Sequence, residues 1–292
     1  MVCLLGIDNG LTVTKAVVFD ETGKPLSIAR RRISQIIDRP RHVERDMREL
    51  WRETAAAIRE AMATSGRTAG EIAAVAATAH GDGLYLLDSG RQPLGNGILS
   101  LDSRACGIVR DWERQGLSEI ALQRSGQMPH ASAPASLLAW VKRHEPERYA
   151  AIGHVVACKD WLRYCLTGTI GTDLTEASTS FSNVETQTYD AQILELFGLG
   201  ALQHALPPVQ NPDDVAGTVT AEAAAATGLM RGTPVVAGIH DVTASALGIG
   251  GLAEGIVAVV AGTYSINETL TSRSKIGSEW FCRNGLRRGE WN

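Results

Sequence analysis

Aromatic side chains are scarce: Phe, Trp and Tyr together make up 5% of the 292 residues. Large rings therefore cannot fill the interior, and 30 glycines amid abundant alanine point to close backbone packing in a layered α/β architecture. Neither sign of charge dominates, since 28 Lys+Arg against 32 Asp+Glu leave a net charge of −4. No basic stripe is available for a nucleic-acid backbone, which excludes sequence-independent DNA binding. No run approaches the roughly 18 apolar residues of a membrane span, and the opening Met1–Asp8 reaches an acid with no basic segment before it, unlike a signal peptide. A cytoplasmic protein is expected, without a membrane partner. The cysteines, Cys3, Cys106, Cys158, Cys165 and Cys282, are odd in number and show no Cys-x-x-Cys spacing, so reduced thiols are expected rather than a disulfide framework or a zinc site.

What is present is a regular alternation of strand and helix signals, in a length that allows one large or two ordinary domains. The apolar run Val2–Ile7, the alternating Thr12–Phe19 and the extended Leu26–Arg32, with Glu21-Thr22-Gly23-Lys24-Pro25 as turn chemistry, predict a three-stranded antiparallel meander. Apolar residues from Met47 to Met62 at helical spacing behind Asp46, with Glu49 three residues later, predict a helix over Asp46–Thr64. Strands follow at Ile72–Ala79, Leu84–Leu87, Val155–Ala157 and around Val235, with helices at Ala105–Gln115, Ala133–His144, Asp160–Leu166, Ala191–Phe197 and Val242–Ile249. A further strand at Gly255–Ala261 ends in Gly262-Thr263. This order predicts an open mixed sheet with flanking helices.

Four segments could carry chemistry. Asp8-Asn9-Gly10-Leu11-Thr12 lies in a turn between strands, where Gly10 permits close approach, amides can meet phosphate oxygens and Asp8 can hold a divalent cation; on this spacing alone an ordinary hairpin turn is the commoner occurrence. Lys15 either neutralises phosphate or is a solvated strand residue. Asp241, just past an apolar strand, is either a helix N-cap or a general base for a substrate hydroxyl. Asp102 and Arg104 form either a local cap and ion pair or, if they face a cleft, a recognition surface for vicinal hydroxyls. In the loop His80-Gly81-Asp82-Gly83, His80 and Asp82 offer a further donor and acceptor, with a structural histidine as the alternative for His80.

Together these segments resemble the FGGY family of carbohydrate kinases, and they do so collinearly over nearly the whole chain. Gly6–Ala16 is similar to the family's first phosphate motif, Leu99–Arg104 to its sugar-binding segment, and Lys159–Gly168 to a characteristic stretch before Thr172-Asp173. Ala237–Gly248 is similar to the segment with the catalytic aspartate, and Gly262-Thr263 falls where the second phosphate motif begins. The resemblance implies ribonuclease-H-like, actin-like domains closing over ATP and a sugar, with Asp241 as base and Asp8 positioning Mg2+. It implies that Gly10 and Thr12 meet the β/γ-phosphates and that Gly262 and Thr263 complete the cradle. It further implies residues 1–252 as the sugar-binding domain and 253–292 as the truncated start of an ATP-binding domain, so that this chain alone is expected to be inactive or severely impaired. The expected partners are a small sugar or polyol and ATP, with a homodimer as the assembly such a reading allows.

The sequence departs from the family pattern in three places. Leu11 stands where the phosphate loop usually carries a small hydroxyl residue, and Leu137 replaces a signature lysine. His80-Gly81-Asp82-Gly83 differs from the Gln-Met-His-Gly of typical D-xylulokinases and is nearer the L-xylulokinase-like branch. A ketopentose such as xylulose, or a short polyol such as a tetritol, is the expected substrate. A non-catalytic actin-like nucleotide- or sugar-binding module is the alternative, which would need neither Asp241 nor the Asp102/Arg104 pair.

Overall fold

The structure, a computed structural model, describes residues 2–261 and 265–292. Gly262 and Thr263, expected to complete the phosphate cradle, lie outside the described residues. The predicted meander forms as β1 (Cys3–Asn9), β2 (Val13–Asp20) and β3 (Pro25–Arg32), with Asp8 opposite Lys15 in the first ladder. The Asp20 side chain accepts from the amides of Thr22 and Lys24 and so fixes the second turn. A short β4 (Glu44–Arg45) leads into α1 (Met47–Ser65), where Asp46 caps the helix by accepting from the amides of Arg48 and Glu49. Met47, Leu50, Ile58 and Ala61 form the buried stripe of α1, which packs on β2 and β3.

From α1 the chain returns as β5 (Ile72–Ala79), parallel to β1. The expected strand at 84–87 is β6 (Tyr85–Leu87), yet it stands outside the main sheet. It pairs instead with β8 (His154–Val156), while β7 (Gly97–Ile98) pairs with β4. Around these short pieces lie α2 (Cys106–Arg114), α3 (Leu117–Ser125), α4 (Pro134–His144) and α5 (Pro146–Ala150), which share a core of their own centred on Leu137, Leu138 and Trp112. Next come α6 (Cys158–Thr167), β9 (Thr172–Asp173), α7 (Leu174–Ala177), α8 (Ala191–Leu196) and β10 (Val209–Gln210), with β9 and β10 parallel.

The main sheet is completed by β11 (Val215–Thr218), after which α9 (Ala221–Thr227) packs on α1, and by β12 (Pro234–Val236) and β13 (Ile239–His240). Its order is β11-β12-β5-β1-β2-β3, with β13 also on β5; β12 and β13 run parallel to β5. Gly238 makes the step between them possible: its φ is +78°, and a Cβ there would lie 2.1 Å from the Ala77 carbonyl oxygen. Cys3, Leu5 and Ile7 of β1 join residues of α1 and α6 in the main core, whereas Leu4 on the opposite face is 46% exposed. The chain ends in α10 (Asp241–Gly248), the hairpin of β14 (Val257–Ala261) and β15 (Ser265–Thr269), and an irregular stretch to Asn292. This stretch folds back: the Cys282 amide donates to the Gly126 carbonyl, and Asn284 Nδ2 to that of Leu174. No helix among the described residues is long and apolar enough to cross a membrane.

Candidate functional site

Three parallel strands, β1, β5 and β13, end side by side, and their carboxyl ends deliver Asp8, the loop at His80 and Asp241 to one edge of the sheet. Such an edge is where open α/β sheets bind ligands. Asp8 Oδ2 accepts from Lys15 Nζ at 2.6 Å, and both side chains remain partly exposed. The turn that follows is held from behind. Arg45, wholly buried, donates through Nη2 to the carbonyls of Leu11 (2.5 Å) and Gly10 (3.2 Å) and through Nη1 to Asn9 Oδ1 at 2.7 Å. Gln35 Nε2 donates to the same Leu11 carbonyl, and the Ile33 amide to that of Thr12. The carbonyls of three consecutive turn residues are thereby drawn onto the protein, while Thr12 itself is exposed.

The loop after β5 is built on unusual backbone. The His80 amide donates to the Asn9 carbonyl, tying the ends of β1 and β5 together. A Cβ on Gly81 would fall 1.6 Å from His240 Nε2, so only glycine fits against that ring. Asp82 is left-handed at φ +55°. The His80 ring is buried, with Nε2 3.3 Å from the Tyr85 hydroxyl, and burial together with the Arg45 charge pushes it down to about 3. It is therefore neutral at ordinary pH. Burial works against the Asp82 carboxylate, but Arg283 at 3.1 Å and His130 at 3.6 Å outweigh it and hold Asp82 below its ordinary range.

Asp241 opens α10, but the cap belongs to its neighbour: His240 Nδ1 accepts from the Val242 amide at 3.3 Å. The N-cap alternative for Asp241 is thus taken by His240, which burial and Arg283 hold down to about 4. Burial pushes the Asp241 carboxyl up to about 7; the Val242 amide opposes the rise, and the charges of Asp8 and Asp82 add to it. Its side chain keeps 31% of its surface open, enough for a ligand to reach. Among the described residues no group of three or more His, Cys, Asp or Glu could hold a metal ion. A Mg2+ bound through one or two carboxylates and substrate phosphates needs less, and the mutual repulsion of Asp8 and Asp241 is what such a cation would relieve.

Beside Asp241 lies a cavity of about 650 Å³. One wall is Asp82, Thr175, His240, Val242 and Thr243; the other comes from β15 and from residues 278–284. Arg283 spans the two, donating through Nη2 to Asp82 and through Nε to Gln127 Oε1 at 3.1 Å, with its guanidinium 4.9 Å from the Phe281 ring. Glu268 Oε1 accepts from Thr243 Oγ1 at 2.7 Å and from Asn292 Nδ2. Sequence reasoning singled out neither Arg45, Glu268 nor Arg283, because each has its partners in remote segments.

The characteristic stretch from Lys159 stands beneath this site. Lys159 Nζ, fully buried, lies 2.7 Å from both Asp160 Oδ1 and Asp173 Oδ1; burial disfavours its charge, but these carboxylates hold it above its ordinary range. Asp173 in turn caps α7 by accepting from the Thr175 amide, and Thr175 Oγ1 accepts from the His240 amide at 3.0 Å. A continuous polar chain thus runs from Lys159 to the residue before Asp241.

Asp102 and Arg104 are brought elsewhere. Neither lines the cavity, and both are buried. Asp102 Oδ1 accepts from the Arg104 amide and Nε, Asp102 Oδ2 accepts from the Val43 amide and Arg104 Nη2, and Nη2 also reaches Glu44 Oε1 at 2.7 Å. Both Asp102 oxygens and the Nε and Nη2 of Arg104 are therefore engaged within the protein, by local amides, by each other and by Glu44, and only Arg104 Nη1 is left without a partner. The pair braces β4, the strand that carries Arg45.

Comparison with known proteins agrees with this arrangement. The family model described as the FGGY family of carbohydrate kinases, N-terminal domain, matches residues 3–248. The L-xylulose/3-keto-L-gulonate kinase of Escherichia coli K12 is 40% identical over 268 residues, covering 91% of this chain and 54% of the relative. The erythritol kinase of Brucella abortus is 33% identical over 247 residues, covering 85% of this chain and 48% of the relative. The crystal structure of xylulose kinase from Rhodospirillum rubrum superimposes with a TM-score of 0.92 at 27% identity, over 99% of this chain and 59% of that one. The chain thus spans about half the length of the curated relatives it matches. The mixed sheet with flanking helices is the ribonuclease-H-like, actin-like layout implied by the sequence, and the chain belongs to the FGGY family of carbohydrate kinases.

Proposed function

We propose that this protein phosphorylates a hydroxyl of a small sugar or polyol at the expense of ATP, with a ketopentose such as xylulose as the favoured substrate. The observation that carries the reading is Asp241: a carboxyl raised to about 7, still reachable, at the joined ends of three parallel strands and beside a cavity whose wall carries Asp82, Thr175 and Thr243. In this reading Asp241 is the general base. A carboxylate oxygen takes the proton of the attacking hydroxyl as the hydroxyl oxygen bonds to the γ-phosphorus of ATP and the bond from that phosphorus to the departing ADP breaks, and a group that titrates near the working pH suits that proton transfer. His240, neutral and hydrogen-bonded to the Val242 amide, keeps the start of α10 in place.

The first turn then serves the phosphates. With the carbonyls of Gly10, Leu11 and Thr12 turned to Arg45, Gln35 and the Ile33 amide, no carbonyl oxygen of the three faces an incoming anion. Thr12 offers its exposed hydroxyl, and Lys15, steadied by Asp8, offers positive charge. Mg2+, when bound, would neutralise phosphate oxygens, with Asp8 as the carboxylate that would hold it. Asp82 meets the sugar in the cavity, His80 fixes the loop behind it, and Asp102/Arg104 act only as a brace. Gly262 and Thr263 remain assigned to the far side of the phosphate cradle by their motif. The division into 1–252 for the sugar and 253–292 as the start of the ATP-binding part is supported by the family match to residues 3–248.

A short polyol is the second reading, supported by the 33% identity to an erythritol kinase. The test is ADP release by the complete gene product with MgATP against a panel of pentuloses and tetritols. Release that rises with one of them supports the proposal; release indifferent to every sugar contradicts it.

A further inference from the structure

We propose that Glu268 is a binding residue of the cavity beside Asp241, accepting hydrogen bonds from substrate hydroxyls and selecting neutral polyols and ketoses over sugar acids. This rests on the kinase reading for its reaction, though not for its binding geometry. Glu268 is 8% exposed on β15 and lines the cavity. One oxygen is engaged by Thr243 and Asn292; the other, Oε2, is buried with no hydrogen-bond partner. Leaving a buried acceptor without a donor is unfavourable, and more so when it is charged. A donor entering from the cavity removes that penalty.

The rest of the wall decides which donor. Across from Glu268 stands Asp82, a second carboxylate, and the cation nearest to it, Arg283, already directs Nη2 to Asp82 and Nε to Gln127. Acceptors therefore outnumber unengaged counter-charge. A ligand rich in O–H groups is stabilised, whereas a ligand carboxylate meets two like charges. Trp280 and Phe281 add partly exposed ring faces to the same cavity, 53% and 45% exposed, against which the C–H edges of a carbon chain can lie. Hydroxyl donors, apolar C–H edges and no negative charge describe a neutral polyhydroxylated molecule.

The test is calorimetric titration of the 292-residue chain with erythritol, xylitol and L-xylulose, and with erythronate and xylonate as the acids of matching length. Wild type is expected to bind at least one neutral member, and its matching acid at least tenfold more weakly. Glu268→Gln is expected to weaken the neutral ligand at least fivefold and to narrow the gap between neutral and acid. Equal or tighter binding of the acids by wild type, or no neutral binding at all, overturns the inference even should Glu268→Gln fail to fold. A folded Glu268→Gln with wild-type affinities overturns it as well. The expected binding pattern without phosphorylation by the complete gene product upholds Glu268 and overturns the kinase reading alone.

Discussion

Arg45 reaches across the first hairpin and places Nη2 2.5 Å from the Leu11 carbonyl oxygen, so a fully buried cation holds the turn that is read here as the phosphate loop. Replacing it by Met leaves the Gly10 carbonyl without its donor and Asn9 Oδ1 with only the weak thiol donor of Cys158. Each orphaned buried acceptor costs about 1–3 kcal/mol. Arg45→Met is therefore expected to lower stability by about 3 kcal/mol in urea unfolding and to weaken MgATP at least tenfold. The affinity for the sugar should stay within about threefold of wild type, a split that a general loss of structure would not produce.

Asp241 couples function to stability through pH. Its carboxyl is raised from 3.8 to about 7 in the fold, so the protonated form is favoured there, and the stabilising effect is fully present below pH 4 and lost as pH rises through 7. Above 7 the buried charge destabilises the protein, and Asp241→Asn removes it. A tenfold proton equilibrium is worth about 1.4 kcal/mol, and solvent contact screens part of the effect, which leaves an expected gain of ~1–2 kcal/mol at pH 8. The gain should shrink as pH falls through this window and vanish only below about pH 4, checked by thermal unfolding at pH 8, 5 and below 4. Wild-type turnover should fall as pH drops below about 7, since the base is then protonated.

Lys159 is expected to be indispensable to the scaffold rather than to the reaction. Lys159→Met strands Asp160 and Asp173 as buried carboxylates without their shared cation, and breaking such a pair on one side costs about 3–5 kcal/mol. Urea unfolding should show that loss.

Gly238→Ala places a Cβ 2.1 Å from the Ala77 carbonyl oxygen at a φ of +78°. The step from β12 to β13 must then shift, and Asp241 with it. A loss of about 2 kcal/mol or more is expected, together with reduced sugar-dependent turnover.

The parts legible in the sequence are those specified locally. The β1–β3 meander follows from alternation and turn residues, α1 from its stripe and Asp46, and the site edge from short motifs at strand ends, Asp8 and Asp241 among them. What stayed hidden is specified at long range. Arg283 meets Asp82 across 201 positions of sequence, and Arg45 meets Leu11 across 34. Asp102 and Arg104 were visible as a charged pair, but nothing in Leu101-Asp102-Ser103-Arg104 reveals that the Val43 amide and Glu44 occupy their polar atoms. Helix α9, Ala221–Thr227, escaped because five alanines give no contrast between a buried and an exposed face, and α3 because Gly116 precedes it without a side-chain cap. Tyr85–Leu87 read as a strand, and only its partner at 154–156 shows that it lies off the main sheet.

The most direct test of Asp241 as general base is the rate of ketopentose phosphorylation by the complete gene product, compared between wild type and Asp241→Asn at saturating MgATP and sugar. The account predicts a fall in kcat of at least about a hundredfold, in line with the usual contribution of a positioned base, with sugar binding retained. A variant that folds, binds sugar and turns over within about threefold of wild type would contradict it.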